Sequence, residues 1–134
     1  ANTLAKALGL KEQNIENKLK GKELFIITNA GGAGTILTDK LISKGYKVFG
    51  PHDLLGTATA RDYKNELNKI KEKYDNILVL LTPQAMSEPS KTAQELIRSQ
   101  HKDKIIAIFP GGKSVKEAKR ILDLNKIPFF SLVV

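Results

Sequence analysis

The stretch Leu24-Phe25-Ile26-Ile27-Thr28-Asn29-Ala30-Gly31-Gly32-Ala33-Gly34-Thr35 decides the fold. A continuous apolar run enters a glycine-rich turn. A helical pattern, Ile36-Leu37 through Leu41-Ile42, leaves it. Strand, glycine turn and helix together present backbone N–H groups to an anion at a helix N-terminus. The bland alternative is a tight crossover that needs glycine only for packing.

Further apolar runs follow at intervals: Tyr46–Phe49, Ile77–Leu81, Ile105–Phe109 and Pro128–Val134. Runs that are continuous rather than alternating belong to strands buried on both faces, as in a parallel sheet. Helical patterns lie between them. Residues 35–44 end at Gly45. Residues 60–73 open with Thr59 and Asp62, with Tyr63, Leu67, Ile70 and Tyr74 on one face. Residues 88–100 open with Ser87 and Pro89 and turn Ala93, Leu96 and Ile97 inward. Residues 115–124 open with the capping box Ser114/Glu117, bury Val115, Ala118, Ile121 and Leu122, and stop at Asn125. This alternation predicts an α/β fold: a three-layer, doubly wound parallel sheet of about five strands in the flavodoxin-like order 2-1-3-4-5.

The chain has 134 residues, which suits one domain with a core of its own. We expect a linker or short helical segment over 1–22, with Leu4, Ala5, Ala7 and Leu8 as one apolar face, and the domain proper over 23–134. The Ala1 start suggests a processed or excised fragment. Cysteine is absent, which excludes disulfides, thiolate metal sites and a cysteine nucleophile. No run is long enough to span a membrane, and no signal-peptide pattern opens the chain; a cytoplasmic location is the expectation.

The net charge is +8, from 22 Lys+Arg against 14 Asp+Glu. Nucleic acid is one reading of that charge. Against it, Arg is scarce beside Lys, many lysines lie among acids, and the aromatic residues sit in predicted strands rather than beside basic clusters. A solvated, Lys-rich surface is the preferred reading.

In a doubly wound sheet, ligands bind at the carboxyl ends of the strands. Four loops fall there: Asn29–Thr35, Pro51–Thr57, Thr82–Met86 and Pro110–Lys113. The first is neither a P-loop, since no Lys follows Gly34, nor a dinucleotide fingerprint, since G-x-G-x-x-G is not met. An anion-cradling turn survives. Asp53 could act as a general base, although a turn carboxylate is the simpler role. Gln84 could point its amide into the crevice, and Met86 is expected to pack. His52 reads as a loop residue and His101 as the end of a helix; the two have no metal-ligand spacing. Ser87 and Ser114 read as helix caps, and no G-x-S-x-G elbow is present. No metal cluster, paired carboxylates or nucleophile–base pair emerges, so no catalytic residue is assigned.

Four segments taken in order carry a resemblance. They are Ile26–Gly34, Asp53-Leu54-Leu55-Gly56-Thr57-Ala58-Thr59, Leu80-Leu81-Thr82-Pro83-Gln84-Ala85-Met86 and Pro110-Gly111-Gly112. They resemble the motifs of the ADP-forming acyl-CoA synthetases, the acetate–CoA ligases related to succinyl-CoA synthetase; the same module occurs in some protein acetyltransferases. The match spans roughly residues 22–134 and is to the second of the family's two flavodoxin-like domains. The resemblance implies a reaction that converts acyl-CoA, ADP and phosphate to acid, CoA and ATP through a phosphohistidine. That histidine sits in another domain, within a Ser-His-Thr-Gly-type motif that this chain lacks. The implied role here is a helix N-terminus that holds the phosphoryl group when the histidine segment docks. Asn29, Gly31, Gly32, Gly34 and Thr35 would bind phosphate, and Asp53, Thr82, Gln84, Gly111 and Gly112 would line the crevice. CoA, ADP/ATP and Mg would belong to the complete enzyme, with CoA-binding, phosphohistidine and ATP-grasp domains as partners. The fragment alone would be inactive.

Two departures stand out. Family members have a longer connector before the Pro-x-Asp motif, whereas Val48-Phe49-Gly50 runs almost straight into Pro51-His52-Asp53; either the loop is short or residues are missing. Ala33 and His52 stand where Pro and an apolar residue are common, so His52 is not read as the phosphorylated histidine. The competing function is a stand-alone flavodoxin-like protein that binds a phosphate-bearing molecule such as FMN or CoA.

Overall fold

The computed structural model describes residues 15–131. Its strands are β1 (Glu23–Thr28), β2 (Lys47–Asp53), β3 (Asn76–Leu80), β4 (Ile105–Ile108) and β5 (Phe129–Phe130). Its helices are α1 (Gly31–Ser43), α2 (Ala60–Lys69), α3 (Pro89–Arg98) and α4 (Lys116–Leu124). The strands form one sheet in the order β2-β1-β3-β4-β5, and every pair is parallel. This is the doubly wound, flavodoxin-like order predicted from the apolar runs. It places all the carboxyl ends on one edge.

Alternation along each strand divides the core in two. Ile27, Ile77, Val79 and Ala107 face α2, α3 and α4, where Tyr63, Leu67, Ala93, Leu96 and Leu122 are buried. Leu24, Ile26, Leu78, Leu80, Ile106 and Ile108 face the other way, with Leu37 and Leu41 of α1. Ile15 joins this second cluster and is fully buried, so chain that precedes β1 packs on the sheet. The helical face expected over residues 4–8 lies outside the described residues.

Several element ends differ from expectation. Helix α1 begins at Gly31, four residues before the predicted start. Ala30 takes the extended cap conformation, and its N–H is held by Thr28 Oγ1 at 2.9 Å. The glycines are therefore the first turn of the helix rather than a loop before it. The far end is as predicted: Gly45, at φ +94°, donates to the Ile42 carbonyl while Tyr46 donates to Leu41, which closes the helix. The Thr59/Asp62 box caps α2, with the Asp62 carboxylate accepting the Thr59 N–H at 2.8 Å. That helix ends at Lys69, short of Tyr74, which instead stacks on Phe25 at 5.1 Å between centroids.

Ser87 does not cap α3; Glu88 holds that position, and Ser87 Oγ accepts from Gln84 N–H and donates to Gln84 O. The Ser114/Glu117 box is not formed either. A 3-10 turn, Lys113–Val115, intervenes, and Glu117 accepts from Ser90 Oγ on α3 at 3.2 Å. The last strand is short, Phe129–Phe130, and residues 132–134 of the expected run lie outside the described residues.

Strand β2 is longer than expected and runs unbroken from Lys47 to Asp53. Pairing with β1 passes from Phe25↔Phe49 to Ile27↔His52, so Gly50 and Pro51, joined by a cis peptide, form a bulge opposite Ile26. Gly50 sits at φ +96°, and a Cβ there would lie 2.8 Å from the Ile26 carbonyl oxygen, so only glycine suits the bulge. The short connector is thus paired strand.

Candidate functional site: the carboxyl edge of the sheet

The edge is organised by the end of β1. Asn29 is buried, and its side chain bonds the β3 loop through both its oxygen and its nitrogen. Nδ2 donates to the Thr82 carbonyl at 2.8 Å, and Oδ1 accepts from Thr82 N–H at 2.8 Å and Thr82 Oγ1 at 3.1 Å. The amide thus pins the β1 end to the β3 loop, with one Nδ2–H and both bonds at Oδ1 committed to Thr82. Gln84 Nε2 extends the chain of bonds to Thr82 Oγ1 at 3.3 Å, and its side chain lies over Gly56. Beneath the same junction the buried Tyr63 hydroxyl donates to the Leu80 carbonyl at 3.0 Å. Burial, then the charge of Asp53, raises this phenol far above its usual range, so it stays a donor.

Helix α1 starts two residues after Asn29, with Ala30 as its cap. Gly34 N–H makes the first bond, to the Ala30 carbonyl at 3.0 Å, so Gly31, Gly32 and Ala33 supply the N–H groups that a helix leaves unpaired at its start. The three predicted glycines have different jobs. Gly31 faces Asp53, whose Oδ2 would lie 2.7 Å from a Cβ placed there. Gly32 is exposed, and a Cβ would meet nothing within 4 Å. Gly34 is buried; a Cβ would lie 2.9 Å from Thr28 Cγ2 and 3.2 Å from Pro51 Cβ, so this position lets α1 close on β1 and β2. Thr35 lies beyond the first turn with an exposed side chain.

Asp53 ends β2 opposite Thr28, and its Oδ1 accepts from Leu55 N–H at 2.8 Å. The fourth loop reaches the same edge. Gly111, at φ +124°, closes against Pro83, where a Cβ would come within 2.8 Å of Cγ; Gly112 is exposed and open. The fold therefore brings together Gly31, Gly32, Asp53, Thr82, Gln84 and Gly111. It assigns Asn29 and Gly34 to holding the edge in shape. Met86, expected to pack, is 54% exposed because its loop is closed by Ser87 instead. His52 is a strand residue whose Nδ1 lies 3.1 Å from Glu66 Oε2 on α2.

Two contributors escaped the sequence. Tyr63 was read only as core, and its hydroxyl gives no periodic signal. Glu88 accepts the Ala60 N–H at 3.1 Å and so joins the starts of α2 and α3. That bond first, and Lys91 second, holds its carboxyl below the usual value of 4.5. Among the described residues no group of three His, Asp or Glu side chains could hold a metal ion. The chemistry available is hydrogen bonding to an anion beside a carboxylate.

No protein-family model matches the chain. Two curated relatives are α subunits of Pyrococcus furiosus ADP-forming acetate–CoA ligases. The ligase II subunit is 24% identical over 160 residues, which covers 97% of this chain and 35% of the relative. The ligase I subunit is 28% identical over 137 residues, which covers 83% of this chain and 30% of the relative. The first alignment is longer than the chain itself, so that relative carries stretches without a counterpart here. Similar solved structures are the Candidatus Korarchaeum cryptofilum dinucleotide-forming acetyl-coenzyme A synthetase 1 with phosphate and ADP (TM-score 0.72, 22% identity, 84% of this chain and 30% of that one) and its apo form (TM-score 0.72, 23% identity, 85% and 31%). The resemblance read from the four motifs is thus found again in sequence, and the fold is found again in structure. The chain spans about a third of the length of the relatives it matches.

Proposed function

We propose that residues 23–134 form one domain of an ADP-forming acyl-CoA synthetase. In this reading the start of α1 receives the phosphoryl group of a phosphohistidine carried by another domain. One observation carries it: the four segments that resemble the family meet at a single edge, around the unpaired N–H groups of Gly31, Gly32 and Ala33. Backbone donors and the positive end of a helix stabilise a phosphoryl group without any catalytic side chain. The contacts come from Gly31, Gly32 and Ala33, with Asp53, Thr82, Gln84, Gly111 and Gly112 as the walls. CoA, ADP/ATP and Mg, together with CoA-binding and ATP-grasp domains, belong to the remainder of the enzyme. A cytoplasmic location accompanies this reading, and no described helix is long and apolar enough to cross a membrane.

The test uses Gly32→Val in the complete ligase. A side chain fits at Gly32 without a clash, so any loss arises where the ligand approaches. Phosphoryl transfer is expected to slow by about 100-fold, the scale for putting one preorganised donor out of the phosphoryl group's reach behind the added side chain, with CoA affinity unchanged. Equal losses in both would reduce the glycine to a folding role. The chain by itself is expected to form no ATP from acetyl-CoA, ADP and phosphate.

A further inference from the structure

The opposite edge of the sheet carries a different chemistry. One lysine stands at or shortly before the start of every strand: Lys47 opens β2, and Lys22, Lys73, Lys104 and Lys126 precede β1, β3, β4 and β5. In sequence order these residues look like a solvated surface. The parallel sheet spreads the strand starts that they flank over about 19 Å, four strand spacings of roughly 4.8 Å. None of them lies within 4.0 Å of a carboxylate among the described residues, whereas Lys44, Lys69, Lys91, Lys119 and Arg120 do. Four acids share this edge without pairing to the five ammonium groups: Asp75 Oδ2 accepts the N–H groups of Lys22 and Glu23 at 3.0 Å each, Glu72 accepts that of Lys71, and, among the described residues, Glu23 and Asp103 form no ion pair with them. Near the β2 end of the row, half-buried rings gather. Phe25 stacks on Tyr74, Phe49 lies 5.0 Å from Tyr74, and Lys47 Nζ sits 5.4 Å over Phe49.

We propose that this amino edge binds a single strand of nucleic acid, through its phosphates and without regard to sequence. Cations without an ion-pair partner among the described residues, one at each strand start, match a linear polyanion, and partly open aromatic rings at one end offer faces on which bases stack. The row is entirely lysine, a point charge without Arg's fork, so it contacts phosphates and reads no base edges. The aromatic group could not be seen in the sequence because Phe25, Phe49 and Tyr74 are far apart in the chain. This role is independent of the phosphoryl site, which lies at the other edge.

The test is fluorescence anisotropy of the chain with labelled oligo-dT and oligo-U of about 15 nucleotides, a length ample for a row contacting ~5 phosphates. Affinity should fall with salt at a log–log slope of about −3.5, since each of the ~5 phosphate contacts on a single strand contributes roughly 0.7. The triple variant Lys73→Gln/Lys104→Gln/Lys126→Gln should bind about 10-fold or more weakly at low salt and lose about 2 from the slope. A second triple, Lys64→Gln/Lys91→Gln/Lys119→Gln, removes equal charge from helix faces and should change affinity less than 3-fold. Equal losses in both triples, or no binding at ~50 mM salt, would overturn the proposal. So would binding to phosphatidylserine vesicles or polyglutamate with none to the oligonucleotides. Thermal melts of both triples verify that the fold is intact, and any loss is read only from folded protein.

Discussion

Single residues at the carboxyl edge show how little a shared residue type says about a shared role. Gly32 and Gly34 are two positions apart in one helix, yet one faces open space and the other faces Thr28 and Pro51. Gly34→Val should destabilise the protein by about 1–3 kcal/mol through overpacking. Gly32→Ala should stabilise it by roughly 0.5–1 kcal/mol, because alanine loses less backbone freedom on entering a helix. Urea unfolding of the two variants checks the pair, and shifts of the same sign would contradict this division. The sequence marked all three glycines and Asn29 alike as phosphate ligands. It could not separate them, because whether a glycine faces a ligand or a neighbouring strand is a matter of tertiary approach. Asn29 shows the same limit: its amide bonds Thr82, a partner in another loop.

Among the elements, interiors were legible and ends were not. Continuous apolar runs located all five strands, and the buried faces of α2, α3 and α4 follow the predicted periodicity in Tyr63, Leu67, Ala93, Leu96, Ala118 and Leu122. Helix starts were misread where side chains found competing partners: Ser87 binds Gln84, and Glu117 binds Ser90. The bulge in β2 was also hidden, since nothing local announces that Gly50-Pro51 will sit opposite one residue of β1. The join between α2 and α3 is the ionisable one. Glu88 accepts the Ala60 N–H, and its folded pKa is depressed. The stability it contributes is complete above the ordinary value of 4.5 and is lost as pH falls through the lower folded value. Unfolding curves from pH 7 to 3 should therefore show the gap between wild type and Glu88→Gln closing towards the acid end. A gap that is constant across that range would remove the carboxylate from the account.

For the molecule as a whole, topology does what no local pattern can: it sorts residues from the entire chain onto two opposite edges, one with helix N–H donors and one with lysines. It also extends the packed unit beyond β1. Ile15 is fully buried against the α1 face, so Ile15→Ala should cost about 2–5 kcal/mol, the range for a core truncation. Thermal and urea unfolding would read this directly, and a loss under ~1 kcal/mol would place Ile15 outside the cooperative core. Asp53 has a consequence of another kind. Its carboxylate stands beside Gly31 at the start of α1, covalently attached to the same chain. The carboxylate accepts from Leu55 N–H and leaves the α1 N–H groups open, but its like charge repels any dissolved anion that approaches this end. On the function proposed above, a phosphoryl group carried by a docked domain would have the docking contacts to offset that repulsion, whereas free phosphate or a free nucleotide would not. This helix end would then discriminate by how an anion is delivered as well as by what it is.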